Sequence, residues 1–210
     1  MAKFKVAYID ESAADVRRFQ RFARNYFEVI PFKPKADKDA TVNEIIESHV
    51  DALIADFDLS EQDSTIHYSG ADLVSALLEE KELFPVFILT SFEDDAVAQG
   101  DDVNIVYEKS EMANGEKFLE RVKTQIEKYH HKIDEAEKRI LELIKISKER
   151  KLDAFEEEEL IKWDALVERT LDKKSQIPDI IRQRKETDDL VDLLKKVDDL
   201  TNKLSDKKDE

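Results

Sequence analysis

Four carboxylates, a threonine and a lysine stand out in the first half of the sequence: Asp10 with Glu11, Asp56 with Asp58, then Thr90 and Lys109. Each follows directly on a short apolar run: KVAYI before Asp10, ALIA before Asp56, VFIL before Thr90 and VNIVY shortly before Lys109. Continuous apolar runs of this length with β-branched members suit strands of a parallel sheet covered on both faces. In an open parallel sheet, ligands bind outside the carboxyl ends of the strands, so these residues should converge there. Carboxylates crowded into one cleft repel each other and call for a hard cation. Magnesium fits, because it takes a few carboxylate oxygens and leaves other positions to water and phosphate. With the cation in place, a carboxylate can act as nucleophile toward phosphorus and hold an acyl phosphate. The lysine would neutralise charge on the transferring group, and the Thr90 hydroxyl could hydrogen-bond a phosphoryl oxygen.

The elements that must position these residues are legible as a pattern. A fifth and weaker strand, Glu28–Phe32, contains Pro31, which points to a sheet edge. Helical stretches lie between the strands at Ala13–Tyr26, Thr41–His49, Gly70–Lys81 and, more briefly, near Asp94–Gln99. Five strands alternating with helices give an α/β fold, a doubly wound five-stranded parallel sheet. The second half changes period. Leu119, Val122, Ile126, Tyr129, Ile133, Ala136, Ile140 and Leu143 follow a 3-4 spacing without a break, a heptad seam on one helix from about Gly115 to Arg150. Asp153 with Glu156 reads as a capping signal opening a second helix to about Lys173, with Phe155, Leu160, Trp163, Val167 and Leu171 as packing members. Pro178 opens a third, with Leu190, Leu194, Val197, Thr201 and Leu204 on its seam. The expected organisation is a first domain over 1–128, an all-α helical hairpin or coiled coil over 129–205 and a frayed tail at 206–210.

In order and at near-family spacing, the acidic pair, the Asp in DALIADFDL, the Thr in VFILTS and the Lys in YEKS resemble the motif of response-regulator receiver domains. The resemblance covers residues 1 to about 128 and implies the flavodoxin-like receiver fold. It also implies that Asp56 accepts a phosphoryl group and that Asp10, Glu11 and Asp56 bind Mg²⁺ together with the backbone carbonyl of Asp58. Thr90 corresponds to the switch hydroxyl and Lys109 to the phosphate-contacting lysine. The partners it implies are a sensor histidine kinase or phosphotransfer protein, with output through a protein target or a second copy at the coil. The sequence departs from the family pattern in several places. Glu11 stands where Asp is commoner, Ser110 follows the lysine in place of Pro, and Val106 occupies the position of a switching aromatic, with Tyr107 on the other face. The loop between Asp56 and Gly70 is about six residues longer than expected, and the segment from Thr90 to Lys109 is shorter.

Composition narrows the alternatives. The net charge is −16, against a nucleic-acid surface, which needs a basic face. Residues 1–115 hold 24 acidic and 11 basic residues, while 116–210 hold 26 and 23, so the acidity sits in the first half. The chain has no cysteine, which excludes disulfides and thiolate chemistry. No apolar run approaches bilayer length, so the expected location is the cytoplasm and no membrane partner is expected. Two further readings remain at this level. One is a phosphotransfer or phosphatase component using a helical group such as His131 beside His130; the other is a receiver-like scaffold that never takes phosphate.

Overall fold

The computed structural model describes residues 3–61, 63–91, 106–109 and 116–171. The chain divides into two compact units, Met1–His131 and Lys132–Glu210.

The first unit runs β1 (Phe4–Ile9), α1 (Ala13–Ala23), β2 (Phe27–Phe32), α2 (Lys38–Glu47), β3 (Ala52–Asp56), α3 (Gly70–Glu80), β4 (Val86–Thr90) and β5 (Val106–Glu108), then enters α4 (Glu116–Glu149). The strands form one sheet in the order β2-β1-β3-β4-β5, and every pairing is parallel. That is the flavodoxin-like doubly wound order, which reverses direction beside β1. Pro31, which has no N–H to give a second neighbour, sits in the edge strand β2 opposite Tyr8.

Alternation along the strands makes two cores. Ala7 and Ile9, Leu53 and Ala55, and Val86 and Ile88 pack on one face with Val42 and Ile45 of α2 and Leu73, Val74 and Leu77 of α3. Val6 and Tyr8, Ala52 and Ile54, and Phe87 and Leu89 pack on the other with Phe19 of α1 and Phe118, Leu119, Val122 and Ile126 of α4. Because both faces are buried there, the runs 6–9, 52–55 and 86–89 are apolar without alternation, as the sequence showed.

Capping explains where the helices begin. Ser12 accepts the Asp15 amide ahead of α1, and Asp37 accepts the Asp39 amide ahead of α2. The expected start of α2 at Thr41 is therefore three residues late, because the Asp37 cap was not read. Ser69 and Asp72 form a capping box at α3. Between Asp56 and α3 the enlarged loop is anchored by Leu59 and Ile66, both buried. Its two ends are joined by the Gly70 amide donating to the Phe57 carbonyl at 2.8 Å.

In the second unit, α5 (Ala154–Thr170) opens on the capping box of Asp153 and Glu156 expected from the sequence. Ile140, Leu143 and Ile144 of α4 pack with Leu160, Trp163 and Val167 of α5. Arg139 makes a double bond-pair to Glu159, at 2.9 and 2.7 Å. Phe155 corrects the packing expectation, being 84% exposed. Five residues before Leu160, it lies about 140° around the helix from the packed stripe. Leu171, past the helix end, is exposed as well. The heptad seam is thus divided between two partners. Leu119, Val122 and Ile126 bury against the sheet, and Ile140 and Leu143 against α5. A 3-4 spacing marks an apolar stripe without saying whether sheet or helix covers it.

The expected helix near Asp94–Gln99, residues 103–105 of the last expected strand, Ser110, the helix from Pro178 and the tail at 206–210 lie outside the described residues. No helix among the described residues is long and apolar enough to cross a membrane.

Candidate phosphoryl-acceptor and metal site

Asp10 follows β1 and Asp56 ends β3, neighbouring strands whose register pairs Ile9 with Ala55. By alternation both acids fall on the side of Tyr8 and Ile54, at the carboxyl edge of the sheet. One oxygen each from Asp10, Glu11 and Asp56 lies within 4.8 Å of the others. Asp10 and Asp56 are buried and Glu11 is partly so. Lys109, just past β5, reaches across to place Nζ 2.7 Å from Asp56 Oδ1 and 3.7 Å from Asp10 Oδ2. Four of the six residues singled out in the sequence therefore meet in one cleft.

Thr90 is buried at the end of β4, immediately after Leu89, the register partner of Asp56, and is itself paired with Glu108. The Asp58 side chain is exposed and accepts from the Ser60 amide and hydroxyl at 3.0 and 2.9 Å. This fixes a local turn and involves the side chain only. Val106 and Tyr107 enter opposite cores, as expected from the strand period. Tyr107 packs against Phe87 and Phe118, with ring centroids 6.1 and 5.2 Å away.

The electrostatics follow from burial. Asp56 is pushed up to about 7, first by burial, with Asp10 and Glu11 adding to it and the bond and charge of Lys109 opposing it. Burial likewise raises Glu11, with Asp10 assisting. Burial alone would lower Lys109, but its bond to Asp56 and the charges of Asp56 and Asp10 carry it above its ordinary value. Glu11 Oε2 is buried with no hydrogen-bond partner among the described residues. A buried carboxylate oxygen left in that state is costly, and a cation among the three acids would satisfy it. The donor set, all hard oxygen, suits Mg²⁺.

One consequence concerns pH. The folded-state value of Asp56, about 7, lies above its ordinary 3.8. The associated stability is complete below pH ~4 and is lost as pH rises through 7, with a ceiling of roughly 4 kcal/mol. Metal-free protein should melt several degrees lower at pH 8 than at pH 5, and Asp56→Asn should flatten that slope. Calorimetry across this range checks it; equal slopes for the two proteins would count against a strained acid.

Two features escaped the sequence reading. Tyr8, read only as a strand residue, donates its hydroxyl to Asp10 Oδ2 at 2.8 Å. The available signal was a phenol two residues before Asp10, inside the apolar run 6–9. Gly70, read only as a helix start, sits against the main chain of Asp56: a Cβ there would lie 2.0 Å from the Asp56 carbonyl oxygen. The helical histidines stand elsewhere. His130 bonds Asp51 at 2.9 Å and stacks on Phe4, and His131 is exposed. Asp51 precedes β3 and Asp56 ends it, so a strand length of roughly 16 Å separates His130 from the cleft.

No family model matches the chain, and no curated protein matches it. Similar folds occur among solved structures. A signal receiver domain of an HD domain-containing protein from Pseudomonas fluorescens Pf-5 is 14% identical, with a TM-score of 0.49 over 62% of this chain and 92% of that one. A CheY-like response regulator receiver domain from Methylobacillus flagellatus is 17% identical, with a TM-score of 0.44 over 58% and 99%. The BeF3-activated DrrB receiver domain is 20% identical, with a TM-score of 0.44 over 60% and 98%. By its own strand order, its two-faced core and the position of its cleft, the first unit has the flavodoxin-like doubly wound fold, the fold class to which receiver domains also belong.

Proposed function

We propose that the chain is a response regulator of a two-component phosphorelay, in which Asp56 accepts a phosphoryl group from a sensor histidine kinase or phosphotransfer protein. The observation that carries this reading is the buried meeting of Asp10, Glu11 and Asp56, with Lys109 2.7 Å from Asp56 Oδ1. In this reading Asp10, Glu11 and Asp56 hold Mg²⁺ with the Asp58 carbonyl. When bound, the ion neutralises charge on the phosphoryl oxygens and favours the ionised form of Asp56. A carboxylate oxygen of Asp56 attacks phosphorus, an acyl-phosphate P–O bond forms, and the bond to the donor's histidine nitrogen breaks. Lys109 stays charged and follows the phosphoryl oxygens. Thr90, buried on the adjoining strand, is assigned the hydroxyl that bonds the phosphoryl group after transfer.

Incubation with acetyl phosphate and Mg²⁺ should add one phosphoryl group by intact-mass measurement, and EDTA should prevent it. A chain that stays unmodified with Mg²⁺ present would leave a receiver-like scaffold instead.

The output is assigned to the helices of the second unit, through protein–protein contact with a target or a second copy. Leu141 of α4 and Ile161 of α5 are more than half exposed, and large apolar groups so placed are candidates for such contact. Leu141→Glu with Ile161→Glu should weaken assembly or target capture without altering labelling of Asp56. Light scattering of both proteins, with and without acetyl phosphate, is the check. A strict monomer in every state removes the second copy and leaves an external target.

A further inference from the structure

Among the described residues, Tyr8 is the one fully buried phenol. Its ring is fully buried and stacked on Phe19 of α1, with centroids 4.1 Å apart and planes 8° from parallel. A buried hydroxyl must find an acceptor, and the one it finds is Asp10 Oδ2 at 2.8 Å. The other oxygen of the same carboxylate, Oδ1, accepts the Ser12 amide at 2.8 Å. Each oxygen of Asp10 is thus fixed by one donor from the protein, and both donors belong to rigid elements. Tyr8 lies in β1, and Ser12 is the cap of α1.

The bond also bears on Lys109. Its ammonium lies 3.7 Å from the same Oδ2 that Tyr8 occupies, against 2.7 Å from Asp56 Oδ1. A hydroxyl already on Oδ2 weakens the pull of Asp10 on the lysine and leaves the short bond with Asp56.

We infer that Tyr8 is a positioning residue of the metal site: its hydroxyl sets the orientation of the Asp10 carboxylate that a divalent cation meets, and it keeps Lys109 directed at Asp56. The inference rests on the reading of Asp10, Glu11 and Asp56 as a Mg²⁺ site. Outer donors that orient ligating carboxylates typically account for about 10- to 100-fold in metal affinity. Removing the hydroxyl leaves the ring, its stack on Phe19 and the rest of the core in place.

The test is Mg²⁺ titration of the full chain by isothermal calorimetry, on wild type, Tyr8→Phe and Val6→Ala. Val6 lies in the same strand and the same core cluster as Tyr8 but carries no polar atom. Tyr8→Phe should weaken Mg²⁺ binding about tenfold, whereas Val6→Ala should lower the melting temperature and leave the affinity unchanged. Labelling by acetyl phosphate should show the same split, with the Mg²⁺ requirement of Tyr8→Phe raised and its rate at saturating Mg²⁺ close to wild type. Wild-type affinity in Tyr8→Phe, or an equal loss in Val6→Ala, overturns the positioning role. No Mg²⁺ binding by wild type overturns the metal reading, and this inference with it.

Discussion

Asp56→Asn should take up no phosphoryl group from acetyl phosphate under conditions that label the wild type fully, and Lys109→Ala should be labelled about 10²- to 10³-fold more slowly. The first result follows from chemistry. The amide of Asn is not a nucleophile of the needed kind, and in the proposed reading the other acids of the cluster hold the cation. Asp10 has each oxygen bonded by a protein donor. The second follows from charge. The Lys109 ammonium lies 2.7 Å from the Asp56 carboxylate, and a preorganised positive group in a site shielded from water is worth far more than the same group in solvent. Lys109→Arg should not restore the rate, because a planar guanidinium cannot occupy the place of an ammonium between two carboxylates. Time-resolved intact mass reads all three variants. Label remaining on the Asn variant would show that Asp56 is not the acceptor; wild-type kinetics in Lys109→Ala would remove the lysine from the mechanism.

Gly70→Ala should cost roughly 3 kcal/mol or more, a fall of 10 °C or so in melting temperature for a domain of this size. The added Cβ would lie 2.0 Å from the Asp56 carbonyl oxygen, 2.9 Å from its carbon and 3.2 Å from Phe57 Cα. All three are main-chain atoms, so no side chain can swing aside. Either α3 backs away from the sheet or the end of β3 bends, and Asp56 moves in both cases. The variant should therefore lose labelling as well as stability. Ser69→Ala, one residue earlier, provides the comparison. It breaks the Ser69–Asp72 capping box, should cost about 1 kcal/mol and should leave labelling intact. A Gly70→Ala melting temperature within two degrees of wild type would mean that the close approach is not a constraint.

Much of the site could be read from the sequence because parallel strands carry two signals at once. Buried on both faces, they appear as apolar runs, and the residues that end those runs are brought to one edge. Asp10, Asp56 and Lys109 meet where these signals place them, Thr90 ends its own run on β4, and Pro31 marks the edge strand through its missing donor. What escaped depends on distance between elements. The Tyr8–Asp10 bond requires knowing that a ring in β1 stays within the core and turns its hydroxyl upward. The role of Gly70 requires knowing that α3 starts against the last peptide of β3. The exposure of Phe155 shows the limit of counting apolar residues on a helix, because its angle around the axis decides burial, not its hydropathy. The heptad seam shows the same limit, since its spacing does not identify the surface that covers it.

The enlarged loop departs from the main chain at Phe57 and returns at Gly70, where a single 2.8 Å hydrogen bond joins the two ends. Such a loop is a closed circuit whose length is nearly independent of what lies outside it. Each doubling of a flexible loop costs only about 0.6 kcal/mol in closure entropy, so residues can be gained or lost here while the strand and helix at its base stay in place. Leu59 and Ile66 mark the stretch that the core holds, and the exposed positions around Asp63 and Ser64 lie at its outer reach. That tip is the natural port for grafting: an epitope, a fluorophore or a short peptide inserted there would ride on the first unit while its acidic cleft remained undisturbed.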